Sequence, residues 1–315
     1  MSFRTRAALP HSALYAALCL PLIFSSGAAA QGPPLDARVG DLRAKLGREL
    51  NQIAASFDGA IGIAVKDFKT GDVLAVNADT IFPQASSIKV AVLIELLRQS
   101  QAGTLKLDER VEVHKVQLVG GSGVLQGFAD GTSSLSLHDL AVLMIVLSDN
   151  SATNILIDRL GMAKVNDTLA GLHLSQTRLQ RRMIDLEAER QGRENLSTPR
   201  EMTTLYDLLF HGKALDEKHT AIALEILKMT KDPLSPLARG LPEGVRMAEK
   251  PGDLNGVRCD SGIVLLEGRP YAISVMTTYV ADREAAERTI SEISRRVYSY
   301  FERQARSNAH GVRVP

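Results

Sequence analysis

Strand-like sequence lies near the two ends of this chain, and a long segment of helical pattern separates the two groups. Short apolar or alternating runs bounded by turn residues predict the strands. They cover residues 60–68, 73–76, 245–249, 258–266 and 271–278. The dipeptides Asn255-Gly256 and Glu267-Gly268 are turn signals between the last three. The sequence therefore predicts one antiparallel sheet that both ends of the chain build together.

Helical periodicity predicts what covers this sheet. Apolar residues at spacings of three and four indicate amphipathic helices over residues 35–57 and 282–304. The segment between the two strand groups shows further helical patterns, at residues 86–97, 136–147, 151–160, 163–172, 198–211 and 217–229. We therefore expect a mixed α/β (α+β) fold, with an antiparallel sheet flanked by helices and an inserted all-helical lobe.

The predicted domain organisation follows the same division. Residues 31–80 and 240–305 form a sheet lobe, residues 81–239 form the helical lobe, and both belong to one domain over residues 31–305. Residues 306–315 are predicted to be a disordered tail. With 315 residues, 45% of them hydrophobic and 23% charged, the chain is long enough to bury a substantial core.

Residues 1–30 have the pattern of a secretory signal. Arg4 and Arg6 precede an apolar run over residues 13–24, and the run ends in Gly27-Ala28-Ala29-Ala30. The apolar run is too short for a membrane-spanning helix. We expect cleavage after the last of these alanines, export to the periplasm or the medium, and no membrane association of the mature chain.

Charge and cysteine content exclude several function classes. The chain has 37 basic and 36 acidic residues, and its formal charge of +1 becomes −1 once Arg4 and Arg6 leave with the signal. This balance gives no basic surface for nucleic acid. Cys19 also leaves with the signal, so Cys259 has no partner for an intramolecular disulfide. The seven histidines form no ligand-like cluster, and we expect no metal or other cofactor.

The start of the predicted helix 86–97 carries a serine and a lysine three residues apart. Ser86 and Lys89 therefore share one helical face, and their side chains can touch. A serine hydroxyl needs a base to become a nucleophile, and a lysine can be that base only when it is uncharged. Burial and the positive end of the helix both disfavour the charged form. The pair predicts a serine nucleophile, although an S-x-x-K string alone also arises by chance.

Two further motifs accompany this pair. Ser148-Asp149-Asn150 lies between two predicted helices, where a hydroxyl and an amide can point into a cleft, although these residue types are also common helix caps. Lys250-Pro251-Gly252 follows the predicted strand 245–249, where its lysine could equally be a solvated residue before a turn. The order and spacing of all three motifs indicate an active site.

With these motifs the chain resembles the penicillin-recognising serine enzymes, most closely the class A β-lactamases. The similarity covers nearly the whole mature chain. Beyond the three motifs it includes Phe82-Pro83-Gln84-Ala85, Ser151-Ala152-Thr153-Asn154, Thr177-Arg178-Leu179, Ser197-Thr198-Pro199 and Asp260-Ser261-Gly262-Ile263-Val264. The resemblance implies a β-lactamase-like fold and hydrolysis of the β-lactam amide through an acyl-enzyme intermediate.

The resemblance also implies the role of each chemical group. Ser86 attacks the lactam carbonyl, Lys89 is the candidate base, and Ser148 relays a proton to the leaving nitrogen. The backbone N–H groups of Ser86 and Asp253 form the oxyanion hole.

Substrate binding falls to other residues of the same motifs. The resemblance implies that Asn150 holds the amide of the substrate side chain, and that Lys250, next to Gly252, anchors the substrate carboxylate. The expected partner is a small molecule, either a β-lactam or an acyl-peptide. We expect a monomer that binds neither nucleic acid nor membrane.

The chain departs from the family pattern at two positions. Class A enzymes usually carry a deacylating glutamate after the T-R-L segment, and alignment from Leu179 places Met183 there. Asp185 or Glu187, or less directly Glu189, could supply the missing carboxylate, although all three could also form a solvated acidic face. We predict that acylation is retained and that turnover is slow.

The second departure is Pro251, where the family usually has a hydroxyl residue that helps to bind the substrate carboxylate. Proline has no N–H to donate, which fits an edge strand but not a central one. Arg258 could compensate, whereas Asp253 would repel an anionic substrate.

Two alternatives to a β-lactamase stay open. The first is a penicillin-binding D,D-peptidase or esterase of the same fold. The second is a non-catalytic binding protein with a vestigial site, against which the presence of Ser86, Lys89, Ser148 and Lys250 argues.

Overall fold

A computed structural model describes residues 37–230, 235–308 and 310–314, so the predicted signal segment lies outside the described residues. Its strands are β1 (Ala60–Asp67), β2 (Val73–Val76), β3 (Phe82–Pro83), β4 (Arg110–Glu112), β5 (Ser134–Ser136), β6 (Leu196–Ser197), β7 (Met247–Leu254), β8 (Val257–Val264) and β9 (Tyr271–Thr278). Its helices are α1 (Ala37–Ser56), α2 (Lys89–Gln101), α3 (Leu137–Val146), α4 (Asn150–Leu160), α5 (Met162–Gly171), α6 (Leu186–Arg190), α7 (Pro199–Phe210), α8 (Glu217–Lys228), α9 (Pro236–Arg239) and α10 (Arg283–Ala305).

The largest sheet within the described residues has five antiparallel strands in the order β2-β1-β9-β8-β7. The first two strands of the chain thus pair with its last three, through the contact between β1 and β9. The prediction of one sheet built from both ends of the chain is confirmed.

Strand β7 is longer than its predicted counterpart at residues 245–249. It continues through Lys250 and Pro251 to Leu254, and Pro251 lies opposite Asp260 of β8. A proline inside a strand is tolerated where no neighbour needs its N–H. This holds for β7 because it is an edge strand of the sheet.

Helices α1 and α10 cover one face of this sheet. Leu50 of α1 and Ile290 of α10 are buried in the same cluster as Ile63 of β1. The ring of Phe301 stacks on that of Tyr271, with centroids 4.1 Å apart. The two amphipathic helices predicted at the chain ends therefore pack where the sequence placed them.

Helix α9 packs against α10, and the helices of the larger core cluster lie on the other face with α2 at their centre. Residues 89–97 of α2 are all buried, as expected for a helix that is apolar on every side. Helix α7 contacts β1 and β9, and α8 contacts β7.

The segment that was predicted to be all-helical also holds two short sheets, β3 with β6 and β4 with β5. Strands of two or three residues are too short to show a pattern in the sequence.

The chain after α10 folds back as a turn. Ser307 pairs with Arg313 in an antiparallel bridge, and Arg38 Nη1 of α1 donates to His310 O at 3.0 Å. The described part of the segment predicted as a disordered tail thus has a defined path. No helix in the described ranges is long and apolar enough to span a membrane.

Candidate active site

Lys89 is the first residue of α2, directly after the 3-10 turn Ala85–Ile88. Its side chain is 0% exposed, and Nζ lies 2.7 Å from Ser148 O, 3.1 Å from Ser148 Oγ and 3.0 Å from Asn150 Oδ1. Burial holds the pKa of Lys89 well below its ordinary value, and the positive charge of Lys250 lowers it further, while Asp149 opposes both. The amine is biased towards the uncharged form that a general base requires.

Ser86 lies in the 3-10 turn itself and is half-buried. Ser86 Oγ forms no hydrogen bond with a described residue, so the two side chains are not hydrogen-bonded to each other, although Lys89 N donates to Ser86 O. The amine is instead directed to Ser148 and Asn150. The hydroxyl therefore faces the cavity described below without a competing partner among these residues.

The Ser148-Asp149-Asn150 motif connects α3 to α4. Ser148 adopts the left-handed region, with φ +52°, which turns its backbone carbonyl and hydroxyl towards Lys89. Asn150 Nδ2 donates to Gly120 O at 3.1 Å. Because a carbonyl oxygen can only accept, this bond fixes the amide orientation and directs Oδ1 to Lys89. Two of the three motif residues thus bind the amine.

The third motif residue, Asp149, has a structural role. Its Oδ1 accepts from Ala152 N at 2.9 Å as the N-cap of α4, and its Oδ2 accepts from Val124 N at 2.7 Å and Leu125 N at 2.9 Å. A Cβ on Gly123 would lie 2.2 Å from this carboxylate, so only glycine fits there. Asp149 therefore fixes the loop 119–125 against the start of α4.

Lys250 lies on β7 and is 1% exposed. Its Nζ donates to Pro251 O at 3.0 Å. Burial lowers its pKa to about 8, although the carboxylates of Asp260 and Glu249 oppose this shift. With that pKa the amine is mostly protonated at neutral pH, as an electrostatic anchor must be.

Direct contact between β7 and the 3-10 turn brings Lys250 and Ser86 into one site. Ser87 Oγ donates to Lys250 O at 3.0 Å. A Cβ on Gly252 would lie 2.4 Å from Gln84 O. The glycine of the third motif is needed for this close approach.

The motifs meet at a cavity of about 200 Å³, which we call the nucleophile cavity. Of the predicted site residues it is lined by Ser86, Asn150 and Asp253. The other lining residues are Ala85, Gly121, Ser122, Arg181, Met183, Ile184, Glu189, Glu194, Asn195 and Leu254. Lys89, Ser148 and Lys250 do not line it, but Lys89 binds Ser148 and Asn150, and Lys250 O accepts from Ser87 Oγ next to Ser86. Asp185 and Glu187 are not among the lining residues.

Met183 is part of the cavity wall. It is 7% exposed, and its backbone is held at both ends by one side chain, since Met183 N donates to Asn154 Oδ1 at 2.9 Å and Asn154 Nδ2 donates to Met183 O at 3.0 Å. A thioether cannot take a proton from water, so the position at which the resemblance implies a glutamate carries no base.

The two acids predicted as substitute bases have other partners. Asp185 is the N-cap of α6 and accepts from Ala188 N at 2.9 Å. Glu187 is exposed, and its hydrogen bonds with Arg190 and Gln191 hold its pKa below the ordinary value. Neither arrangement directs a basic oxygen into the nucleophile cavity.

Two other acids do line the cavity, and both pair with the buried Arg181. Glu194 Oε2 lies 3.0 Å from Arg181 Nη2, and Glu189 Oε2 lies 3.8 Å from the same nitrogen. Glu189 was considered from the sequence, whereas Glu194 and Arg181 were not. No local pattern could have found them, because they reach the cavity only through the fold of the loop that Asn195 ties to Arg181.

Asp253 also lines the cavity and pairs with Arg283 of α10, at 2.9 Å. Arg258 is buried, donates from Nη1 to Gly252 O at 3.1 Å and pairs with Glu287 at 3.0 Å. The two arginines and two acids form a connected charged row at the end of β7.

Unusual backbone conformations also gather here. Ala85 and Ile184 both have positive φ, at +48° and +60°, and both line the nucleophile cavity. Positive φ is rare for a β-branched residue such as isoleucine and marks local strain. Among the described residues, no group of three or more His, Cys, Asp or Glu side chains could hold a metal ion.

Comparison with known proteins agrees with this geometry. The model of the β-lactamase enzyme family matches residues 45–301. The chain is 30% identical to β-lactamase CARB-4 of Pseudomonas aeruginosa over 264 residues, which cover 81% of this chain and 89% of that protein.

Two solved structures show the same likeness. The structure of PBP-A is 29% identical with a TM-score of 0.75, covering 82% of this chain and 96% of PBP-A. An ancestral class A β-lactamase is 28% identical with a TM-score of 0.76, covering 81% of this chain and all of that structure. On these matches and on the arrangement of its three motifs, the chain belongs to the β-lactamase enzyme family.

Proposed function

We propose that this protein is a serine β-lactamase of the class A type, which opens the β-lactam amide by forming an acyl enzyme on Ser86. The observation that carries the proposal is the fully buried Lys89 amine, held by Ser148 and Asn150 one helical turn from a serine that lines a cavity. Burial gives the amine its basic, uncharged form at a pH where exposed lysines are charged.

The hydrogen bonds of Lys89 suggest how a proton moves. An uncharged amine has two N–H groups and one lone pair. The two N–H groups match the acceptors Ser148 O and Asn150 Oδ1. The lone pair is then available to a hydroxyl, either Ser86 Oγ during attack or Ser148 Oγ, which lies 3.1 Å away. Ser148 can thereby pass the proton on to the leaving nitrogen.

The remaining roles follow the arrangement of the site. Backbone N–H groups of Ser86 and Asp253, which both line the cavity, would stabilise the oxyanion, and loss of one such donor costs about 3–4 kcal/mol. Asn150 would bind the amide of the substrate, and the protonated Lys250 beside Gly252 would attract its carboxylate.

Release of the acyl group is expected to be slow. Met183 replaces a base in the wall, and Asp185 and Glu187 do not line the cavity. We propose Glu189 or Glu194 as the carboxylate that activates water, in place of those two. Both line the cavity with Ser86, and both also form ion pairs with the buried Arg181.

The decisive experiment separates the two steps. The purified protein is mixed with benzylpenicillin, and its intact mass is followed over time beside hydrolysis of a chromogenic cephalosporin. We expect a mass increase of one penicillin that decays slowly, and neither signal in Ser86→Ala. A stable adduct without turnover would contradict the β-lactamase assignment, and absence of any adduct with a fluorescent penicillin would favour a vestigial site.

Met183 supplies no base to release the acyl group, and this favours a second candidate, a D,D-peptidase or esterase of the same fold. Such an enzyme would be acylated by penicillin and would release it slowly. A peptide ending in D-Ala-D-Ala discriminates, because Ser86-dependent release of the terminal D-alanine would support this second candidate.

We further propose that the protein is made with the signal segment 1–30 and acts outside the cytoplasm as a monomer. Sequencing the N-terminus of the exported protein tests the cleavage after Ala30. Light scattering of the mature protein tests the oligomeric state.

A further inference from the structure

A second cavity adjoins the nucleophile cavity and shares two wall residues with it. This second cavity has a volume of about 330 Å³, and Asp253 and Leu254 line both. Its other lining residues include Arg258 and Arg283. Asp253 therefore stands at the boundary between the reacting serine and a neighbouring charged space.

The negative charge of Asp253 is only partly balanced. Among the described residues its ion-pair partner is Arg283, 2.9 Å away, but the same guanidinium also pairs with Glu287 at 3.2 Å. Arg283 is 64% exposed and Asp253 39% exposed, so water and salt weaken their attraction. Part of the carboxylate's field thus extends into the nucleophile cavity.

The other groups that could attract an anion there are weakened. Pro251 offers no hydroxyl beside Lys250. The Lys250 amine is buried, does not line the nucleophile cavity and donates to Pro251 O. Arg258 is engaged by Glu287 and by Gly252 O. A carboxylate entering near β7 meets the charge of Asp253 at the surface of the cavity before it reaches these cations.

From this arrangement, and resting on the proposed function, we infer that Asp253 determines substrate specificity by charge. Its carboxylate opposes the attraction of Lys250 for a substrate carboxylate, so it lowers the preference of the site for an anionic over an uncharged substrate. Arg283 moderates this selection, because it neutralises part of the charge of Asp253.

The test uses two substrates that differ only in this charge: a chromogenic cephalosporin with its free carboxylate, and the methyl ester of the same compound. The quantity measured is the ratio of kcat/KM for the acid to kcat/KM for the ester. Any general effect of a substitution on the reaction cancels in this ratio.

We expect Asp253→Asn to raise the ratio about ten-fold, which lies between the interaction of two charges about 4 Å apart in water and that of the same pair near a protein surface. Arg283→Gln should lower the ratio, because it leaves Asp253 unneutralised. The same Arg283→Gln change in the Asp253→Asn background should lower it much less, since there the acid is gone.

Asp79→Asn is the matched control. Asp79 pairs with Arg200 at 2.6 Å on the surface, does not line either cavity, and its removal changes the net charge by the same amount. A ratio unchanged in Asp253→Asn, or raised equally in Asp79→Asn, would overturn the inference. If neither substrate acylates Ser86 by intact mass, the proposed function fails, and this inference fails with it.

Discussion

At the scale of single residues, the chemistry depends on two buried lysines in different charge states. Lys89 has carbonyl and amide oxygens as partners and pairs with no carboxylate of the described residues, and burial lowers its pKa well below the usual value. Lys250 has Asp260 and Glu249 nearby, and its pKa falls less far, to about 8. One lysine can therefore serve as a base while the other stays a cation at the same pH.

This difference predicts a bell-shaped pH dependence of acylation. Below the lowered pKa of Lys89 the base is protonated, so the rate should rise with pH through that value. Above about 8, Lys250 loses its proton and its attraction for an anionic substrate, so the rate should fall. The acylation rate by penicillin, followed by intact mass from about pH 5 to about pH 10, measures both limbs.

Lys250→Arg identifies the upper limb. Arginine stays charged throughout this range. The acylation rate of the variant should therefore no longer fall above about pH 8, even if the rate is lower at every pH. A fall of equal size in the variant would assign that limb to another group.

A second prediction at this scale concerns the cavity wall at Met183. Met183→Glu would place a carboxylate there, and a positioned general base contributes about 10²–10⁴-fold. We expect faster decay of the acyl enzyme with little change in its formation. Met183→Gln has the same shape without the base, so equal decay in both variants would refute a missing base as the cause of slow turnover.

At the scale of elements, one carboxylate couples a helix to a loop. Asp149 caps α4 and also accepts two backbone N–H groups of the loop 119–125, whereas Asp282 caps α10 through Ala285 N alone. Asp149 accepts three backbone N–H bonds and Asp282 accepts one. Loss of the Asp149 carboxylate should therefore destabilise the protein more than loss of the Asp282 carboxylate. It also explains why an aspartate stands between the two residues that bind Lys89.

We predict that Asp149→Ala lowers the free energy of unfolding by about 2–4 kcal/mol, because two donors lose their only charged acceptor in addition to the cap. Asp282→Ala should cost about 1 kcal/mol. Urea unfolding of both variants measures this. Similar losses in the two would show that the loop contacts of Asp149 add no stability.

At the scale of the whole molecule, stability rests on the contact between the chain ends. Helix α10 covers the sheet, and the stack of Phe301 on Tyr271 joins the last helix to the strand β9 that pairs with β1. This contact lies on the face of the sheet opposite α2. Weakening it should change stability more than chemistry.

We predict that Phe301→Ala lowers the free energy of unfolding by about 3–5 kcal/mol, as for other buried aromatic truncations. Tyr300→Ala, on the half-buried side of the same helix, should cost clearly less. Denaturant unfolding measures the loss, and the acylation rate per folded molecule should be maintained. A large fall in that rate would show that α10 also shapes the site.

The sequence by itself determined that both ends of the chain build one sheet, and it determined the position of most helices. It also determined the motifs at Ser86, Ser148 and Lys250, and Pro251 indicated that its strand lies at the edge of the sheet. These follow from local periodicity and from chemistry that the chain carries within a few residues. The short sheet of β3 with β6 left no such trace, since two residues show no period.

Only the tertiary structure decided which side chains of the loop after Leu179 reach the cavity. Asp185 and Glu187 are used by their own helix, while Glu189 and Glu194 are drawn to the wall by the buried Arg181. It also decided that Lys89 binds Ser148 and Asn150 in place of Ser86. The direction of a loop side chain depends on contacts with residues far away in sequence, and no local pattern records those contacts.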